Sequence, residues 1–204
     1  MDEIRIGYFL EDIGHQRFLE AIVLRIVQEF GSVVGLAQPE VLNATGGRGK
    51  VFTELQDFLR DVSRQRERPF DLLIVAIDGN CRGYVPIRDE VLAKVSQTGY
   101  AGFVACAVPN PHIERWYIAD PSALQQVLGV APNAPRCKCE RALYKNALRD
   151  AIRQAGIVAP LGGIEYGADI AAVLNLYAVG RSDAGFKHFL DTLREGLAGF
   201  TRSR

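Results

Sequence analysis

The chain alternates continuously apolar runs with longer segments in which apolar residues recur every three or four positions. Apolar and β-branched runs predict four strands, over 4–10, 32–42, 72–77 and 101–108. Helical spacing predicts three helices between these strands, over 13–30, 51–62 and 86–96. Strands that alternate with helices in this order predict a parallel sheet with right-handed crossovers.

Helical spacing dominates the chain beyond residue 109. It predicts further helices over 111–119, 122–128, 138–154, 166–179 and 183–199. We therefore predict an α/β fold, in which a mostly parallel four-stranded sheet is flanked by helices and followed by a helical C-terminal part. The Pro-containing segment 130–137 marks the expected joint. It separates an α/β core, 1–130, from a helical extension, 131–204, packed on that core as a single compact unit.

Composition and charge narrow the class of protein. The 24 basic side chains balance 24 acidic ones, which argues against non-specific coating of nucleic acid but allows a local basic groove. Asp2 and Glu3 do not fit a signal peptide, and no apolar run reaches the roughly 18 residues of a membrane helix. Four cysteines in this length do not predict a disulfide scaffold, and Cys81 and Cys106 are expected to pack as small hydrophobic side chains. We expect a reducing cytoplasm and no membrane association.

Acidic residues follow three of the predicted strands. Glu11 and Asp12 follow the first strand, Asp78 follows the third, and Glu114 follows the fourth. Ligands of open parallel sheets bind outside the carboxyl ends of the strands. Carboxylate oxygens suit Mg²⁺, which can polarise a phosphoryl group or activate water. The pattern fits either a divalent-metal site or a set of helix caps and solvated loop residues, and Asp12 is a good N-cap for the first helix.

The glycine-rich loop GGRGK, residues 46–50, precedes a predicted helix. It lacks the glycine spacing of a P-loop, and Val51 stands where Ser or Thr would bind Mg²⁺, so it does not predict an ATP site. Arg48 and Lys50 in front of a helix can still meet a phosphate. A flexible turn without a ligand explains the same residues equally well.

Cys137 and Cys139 are separated by one residue. This spacing is too short for an ordinary zinc knuckle, and no second cysteine pair exists. His15 and His112 complete a zinc site only if the fold brings them close. Two partly buried thiols at a helix start are the favoured interpretation.

Basic residues recur at helical spacing near the predicted joint. Such a stripe favours a solvated helix face over a surface that contacts the nucleic-acid backbone, because acidic Glu140 and Asp150 flank it. The residues of the stripe are Lys138, Arg141, Lys145 and Arg149.

Several segments together resemble the TOPRIM-like proteins. FLEDIGHQRFL (9–19) resembles the first TOPRIM motif, an acidic residue after strand one followed by a helix, and VAIDGN (75–80) resembles the acidic-pair motif. PNPHIERWYIAD (109–120) resembles the signature of an uncharacterised bacterial TOPRIM-like family related to the RloB proteins. The glycine-rich turn before VFTEL is also similar to this family, as are KCERALYK (138–145) and GIEYGADI (163–170).

The resemblance implies a TOPRIM-like sheet and a Mg²⁺- or Mn²⁺-dependent, nuclease-like centre that makes or breaks phosphodiester bonds, with a role in anti-phage defence. It implies that Glu11 is the general base or a metal ligand and that Asp78 is the main ligand. Asn80 stands where TOPRIM enzymes usually have Asp, which weakens the metal site because an amide oxygen is neutral. Glu114 is then the candidate to supply the missing charge.

Three functions remain open from the sequence. A nuclease-like enzyme acting on DNA or RNA would use Arg48, Lys50 and Arg115 to contact phosphate. A non-catalytic recognition module would work with a partner ATPase, since members of the resembling family often sit beside ATPase genes, and would dock through the helices after about residue 138. A binder of small phosphates or nucleotides is the third alternative, favoured only by the fold class and the GGRGK turn.

Overall fold

Six strands form the two parallel sheets in the described part of the chain. The computed structural model describes residues 2–31, 34–46, 49–65, 69–132 and 139–202. In chain order the strands are β1 (Asp2–Ile4), β2 (Ile6–Leu10), β3 (Val34–Leu36), β4 (Glu40–Asn43), β5 (Leu72–Ala76) and β6 (Phe103–Ala107).

The central sheet has four strands in the order β4-β2-β5-β6, and all of its strand pairs are parallel. Tyr8 of β2 lies opposite Val41 of β4 and Ile74 of β5, and Ile74 lies opposite Ala105 of β6. β1 pairs with β3 in a separate two-stranded parallel sheet. The predicted α/β class with a four-stranded parallel sheet is therefore confirmed.

Helices follow the strands and fill the C-terminal part of the chain. They are α1 (Ile13–Glu29), α2 (Val51–Ser63), α3 (Tyr84–Ser96), α4 (Glu114–Tyr117), α5 (Pro121–Leu128), α6 (Arg141–Gln154), α7 (Gly167–Val173), α8 (Leu176–Ser182) and α9 (Ala184–Arg202). A 3₁₀ turn, Ile164–Tyr166, precedes α7. Within the described ranges, none of these helices combines the length and the apolarity that a bilayer crossing requires.

Local backbone chemistry divides some of the predicted elements. The strand predicted over 4–10 is interrupted at Arg5, whose backbone N–H donates to the Asp71 carboxylate at 2.9 Å. The strand predicted over 32–42 divides into β3 and β4, and Pro39, which has no N–H for a sheet hydrogen bond, lies between them. The helix predicted over 166–179 divides where Asn175 caps α8 by accepting a hydrogen bond from the N–H of Ala178 at 3.0 Å.

Apolar side chains cover both faces of the central sheet. Tyr8 and Ile74 belong to a cluster that includes residues of α1, α7 and α9, whereas their neighbours Phe9 and Val75 belong to a second cluster with residues of α2 and α3. All four side chains are buried. Burial on both faces explains why the strands are continuously apolar rather than alternating.

The helical C-terminal part shares the hydrophobic core of the sheet. Trp116 of α4 is fully buried and lies against Phe18 of α1 and against Phe186 and Phe189 of α9. α9 also packs against β6. The predicted joint, 130–137, falls largely outside the described residues.

Cys81 and Cys139 form a disulfide that the sequence did not predict. They are 58 residues apart in sequence with Cα atoms 5.5 Å apart, and both are exposed. The expectations that Cys81 packs as a hydrophobe and that Cys139 is a partly buried thiol are wrong, because the start of α6 lies on the loop after β5. Cys106 is buried as expected, and burial raises the pKa of its thiol to about 12. Cys137 lies outside the described residues.

Candidate functional site

The carboxyl ends of β2 and β5 bring Glu11 and Asp78 together. Glu11 follows the last residue of β2, and its backbone N–H donates to the carbonyl of Ala76 at the end of β5 at 2.9 Å. Its side-chain Oε2 accepts a hydrogen bond from the backbone N–H of Asp78 at 2.7 Å. The structure therefore places these two acids next to each other at one edge of the sheet.

Asp78 is a buried carboxylate held by two histidines. Its Oδ1 lies 3.0 Å from Nε2 of His15, and its Oδ2 lies 2.8 Å from Nδ1 of His112. All three residues are buried, and His15 is completely enclosed. A carboxylate in such a place needs compensating hydrogen bonds, and the two imidazole rings supply them.

His15 carries the charge that compensates this carboxylate. It lies in the first turn of α1, which Asp12 caps by accepting from the N–H of Gly14 at 2.7 Å, as predicted for Asp12. The other ring nitrogen of His15, Nδ1, lies 3.4 Å from Oδ1 of Asp12. Burial alone would lower the pKa of His15, but the carboxylates of Asp78 and Asp12 outweigh it and raise this pKa well above its usual value. We infer that His15 is protonated and donates to both carboxylates.

The charge of His15 keeps its two partners ionised. Burial would raise the pKa of Asp12, but its hydrogen bond and ion pair with His15 lower it to about 2. Burial would likewise raise the pKa of Asp78, and the charge of His15 together with the hydrogen bond from His112 lowers it. The result is a stable alternation of charge from Asp12 through His15 to Asp78.

Two further carboxyl groups, those of Glu11 and Glu114, lie close to this array, and the pKa of each is raised. Burial raises the pKa of Glu11, and the negative charge of Asp78 raises it further. Burial also raises the pKa of Glu114, the first residue of α4, against the opposing charge of Lys145. Oε2 of Glu114 is buried without a hydrogen-bond partner among the described residues. The term Asp78 cluster denotes Glu11, Asp12, His15, Asp78, His112 and Glu114.

The loop after β6 holds His112 in place. This loop accepts two hydrogen bonds from the loop after β5. The backbone N–H of Gly79 donates to the carbonyl of Pro109 at 2.7 Å, and that of Asn80 donates to the carbonyl of Pro111 at 2.9 Å. The side chain of His112 is 11% exposed, and its Nε2 makes no hydrogen bond to any described residue. Asp78 therefore fixes one nitrogen of this ring and leaves the other available for a ligand.

Lys145 of α6 places a cation beside the cluster. Its Nζ lies 3.7 Å from Oε1 of Glu114, and its charge also helps to lower the pKa of Asp12. The side chain is half exposed. α6 packs against α4, so the helical C-terminal part contributes directly to this edge of the sheet.

The predicted metal-binding role of Glu11, Asp78 and Asn80 does not match the arrangement of these side chains. Nδ2 of Asn80 donates a hydrogen bond to the backbone carbonyl of Asp78 at 3.2 Å. The amide is therefore engaged with the backbone and does not act as a second ligand beside the Asp78 carboxylate. Nε2 of His15 already lies 3.0 Å from Oδ1 of Asp78, so a cation bound to this oxygen would lie beside a protonated ring. In the part of the chain that the structure describes, no group of three or more His, Cys, Asp or Glu side chains is placed to hold a metal ion. These residues therefore do not fit a preformed metal site, and metal binding stays a prediction.

Two of the three predicted phosphate contacts, Lys50 and Arg115, lie within the described residues, and none of the hydrogen bonds and ion pairs described for them involves Asp78. Arg115 pairs through Nε with the buried carboxylate of Asp183 at 3.0 Å and donates to the carbonyl of Asn110 at 2.6 Å. Lys50 is exposed in front of α2, and no hydrogen bond or ion pair among the described residues links it to Asp78. Arg48 lies outside the described residues.

Thr45, which directly precedes the glycine-rich loop, is bound by a side chain of α2. Glu54 accepts hydrogen bonds from the backbone N–H of Thr45 at 2.7 Å and from its hydroxyl at 3.2 Å. A carboxylate therefore already accepts both hydrogen bonds that Thr45 offers beside this loop.

Sequence reasoning did not assign His15, His112 and Lys145 to this site. The two histidines were considered only for zinc, and Lys145 only as part of a solvated stripe. A local signal did exist, because His15 follows Glu11 by four residues at a helix start and His112 precedes Glu114 by two. Neither spacing, however, predicts that both imidazole rings contact the carboxylate of Asp78.

No protein-family model, curated protein or solved structure matches this chain. The resemblance to TOPRIM-like proteins and to the family related to the RloB proteins therefore stays a prediction. What the site can do has to be argued from its own geometry.

Proposed function

We propose that this chain hydrolyses phosphodiester bonds at the Asp78 cluster, with His112 as the general base. The observation that supports this most is the division of the Asp78 carboxylate between protonated His15 and Nδ1 of His112. A carboxylate that accepts the Nδ1–H of a histidine fixes the tautomer whose Nε2 can take a proton. The ring also lies at the sheet edge where open parallel sheets bind their ligands.

The proposed reaction uses one base and one acid. Nε2 of His112 takes a proton from water as the water oxygen attacks phosphorus and the bond to the leaving oxygen breaks. Glu114 gives its proton to that leaving oxygen, and burial shifts its pKa upward, which is the direction that a general acid needs. The products are a phosphomonoester and an alcohol, and each proton transfer is expected to contribute about 10²–10⁴-fold to the rate.

The phosphodiester class of substrate is supported by two features. The TOPRIM-like motifs around Glu11 and Asp78 imply it by resemblance. Lys145 beside Glu114 supplies a half-exposed ammonium group, which can pair with a phosphate oxygen. DNA and RNA both offer such a group, so the first substrates to try are single strands of each.

A divalent cation, Mg²⁺ or Mn²⁺, defines the second candidate function. Crowding of carboxylates favours it. Burial and then the charge of Asp78 raise the pKa of Glu11, and one buried oxygen of Glu114 has no hydrogen-bond partner among the described residues. Glu11, Asp78 and Glu114 would hold the ion, which would polarise the phosphate or activate water. Binding would require His15 to lose its proton or its contact with Asp78. The two candidates therefore predict opposite responses to a chelator.

The decisive experiment measures hydrolysis of bis(p-nitrophenyl) phosphate and of labelled single-stranded DNA and RNA, in EDTA and with added Mg²⁺ or Mn²⁺. The variants are His112→Asn and Glu11→Gln, and His188→Asn is the matched control because His188 is exposed and stacks on Tyr84. Activity that survives EDTA and is lost only in His112→Asn supports the leading proposal.

Other outcomes decide between the remaining functions. Activity that needs Mn²⁺ or Mg²⁺ and is lost in Glu11→Gln supports the metal-dependent alternative. A folded wild-type protein that cleaves no substrate under either condition contradicts both hydrolytic functions. That result would favour the recognition module that works with a partner ATPase.

A further inference from the structure

The Cys81–Cys139 disulfide joins two segments that both carry residues of the candidate site. Cys81 lies three residues after Asp78 in the loop that follows β5. Cys139 lies two residues before α6, the helix that carries Lys145. The bond therefore links the start of that helix to the loop of the central carboxylate, across 58 residues of chain.

The loop that the disulfide holds is conformationally strained. Asn80 and Cys81 both have positive φ angles, 46° and 69°, which residues with a side chain rarely adopt. Such conformations persist when surrounding contacts over-determine them. Here the N–H of Asn80 bonds to Pro111, the N–H of Cys81 bonds to Oδ1 of Asn110 at 2.9 Å, and the disulfide adds a covalent tie.

The same contacts connect the disulfide to His112. Asn110 and Pro111, which accept the two hydrogen bonds from the strained loop, immediately precede His112 in sequence. A change in the backbone conformation of Asn80 and Cys81 is therefore expected to move both Asp78 and His112. Asp78 would move because it lies two residues before Asn80, and His112 would move because these hydrogen bonds hold the two residues that precede it.

Both cysteines are exposed, so reagents can reach the bond from solvent. Exposed disulfides are the ones that thiols reduce most readily, whereas buried structural ones resist. Lys145 is half exposed, but the buried contacts of α6 begin in its first turn at Tyr144 and continue at Leu148 and Ile152. Opening the disulfide would loosen the segment that leads into α6, while these buried contacts keep the helix itself in place.

We propose that Cys81 and Cys139 form a reversible thiol-modification site that controls the Asp78 cluster, with a dithiol as the reagent. In the oxidised form the bond ties the loop of Asp78 to the segment before α6, while hydrogen bonds from the same loop hold the loop of His112. Reduction lets the strained loop relax and lowers the rate of the proposed hydrolysis. Only this effect on the rate rests on the proposed function.

The chemistry of the switch is thiol–disulfide exchange. A thiolate of the dithiol attacks one cysteine sulfur, the S–S bond breaks, and the released cysteine thiolate takes up a proton. The second thiol of the reagent then displaces the other cysteine and closes a cyclic disulfide. Two electrons pass from the dithiol to the protein, which gains two cysteine thiols.

The test compares oxidised and dithiothreitol-treated protein carrying Cys137→Ser, so that Cys137 cannot exchange with the pair. Alkylation with iodoacetamide followed by mass spectrometry should label Cys81 and Cys139 together, while buried Cys106 stays unlabelled and shows that the fold is intact. Hydrogen exchange at residues 78–83 and 139–145 should become about tenfold faster on reduction, without a change in the strands. A variant with Cys81→Ser and Cys139→Ser should show the faster exchange without reagent.

The outcomes separate this proposal from the proposed function. Joint labelling with faster exchange, in a protein that cleaves no substrate in either form, supports the modification site and contradicts the hydrolase. A cleavage rate that is unchanged by complete reduction overturns control of the cluster and leaves the hydrolase intact. Failure to label either cysteine unless the protein is unfolded, or unchanged exchange after labelling, overturns the proposal whatever the activity.

Discussion

Oδ2 of Asp78 lies 2.8 Å from Nδ1 of His112, and the two residues are 34 positions apart in the sequence. The pair is buried, yet His112 keeps a small exposed fraction. Because His15 balances the other oxygen of Asp78, the carboxylate can orient His112 without an uncompensated buried charge. This division of roles leads to the following predictions.

Replacing His112 by Asn should remove most of the proposed activity. The rate constant for phosphodiester cleavage is expected to fall by about 10²–10⁴-fold, since Asn cannot accept the proton from water. KM should change little if His112 acts on water rather than on substrate binding. Steady-state kinetics of this variant and of His188→Asn measure the effect, and an equal loss in the control would contradict the assignment.

Replacing His15 by Gln should destabilise the protein in a pH-dependent way. The raised pKa of His15 means that its contribution is complete below its ordinary value of 6.5 and is lost as the pH rises through the folded-state value. Below pH 6.5 the loss should be about 3–5 kcal/mol, because Asp78 is left without its buried cation. Urea unfolding of both proteins across the pH range measures the difference.

At acidic pH the dependence of stability on pH runs in the opposite direction, because Asp12 and Asp78 have lowered pKa values. The lowered pKa values of Asp12 and Asp78 stabilise the fold above their ordinary value of 3.8, and this contribution is lost as the pH falls through the folded-state values, about 2 for Asp12. A stability difference between wild type and His15→Gln that is independent of pH would show that His15 is not protonated in the folded protein.

Removing the disulfide should lower the free energy of unfolding, because the unfolded chain gains conformational freedom. A cross-link that spans 58 residues restricts the unfolded state, and its loss is expected to cost about 2–4 kcal/mol. Urea unfolding of the Cys81→Ser and Cys139→Ser double variant measures this cost. The reduced wild-type protein is the matched control, and it should unfold at the same urea concentration as the double variant.

Arg115 is predicted to position the loop of His112 rather than to bind phosphate. Its guanidinium joins the Asp183 carboxylate to the carbonyl of Asn110, so Arg115→Gln and Asp183→Asn should cause similar losses of stability. Their double variant should lose less than the sum of the two. KM for phosphodiesters separates the roles. A KM that rises in Arg115→Gln but not in Asp183→Asn would show that Arg115 contacts phosphate after all.

Much of the fold and one half of the site follow from the sequence. Continuous apolar runs and helical spacing are local properties, and they specified the parallel sheet and the helices around it. Strand ends of a parallel sheet share one edge, so Glu11 and Asp78 could be placed together before any coordinates were known. Asp12 as a helix cap follows from the same local chemistry.

Only the tertiary structure decided how the carboxylate of Asp78 is used. Whether His15 and His112 meet it depends on the packing of α1 and of the loop after β6, over separations of 63 and 34 residues that no local pattern encodes. The Cys81–Cys139 bond and the Arg115–Asp183 pair arise in the same way, from helices that settle on distant loops. Residue types and periodicity determine which elements form, but a hydrogen bond or a disulfide requires positions within a few tenths of an ångström, which only the packed core fixes.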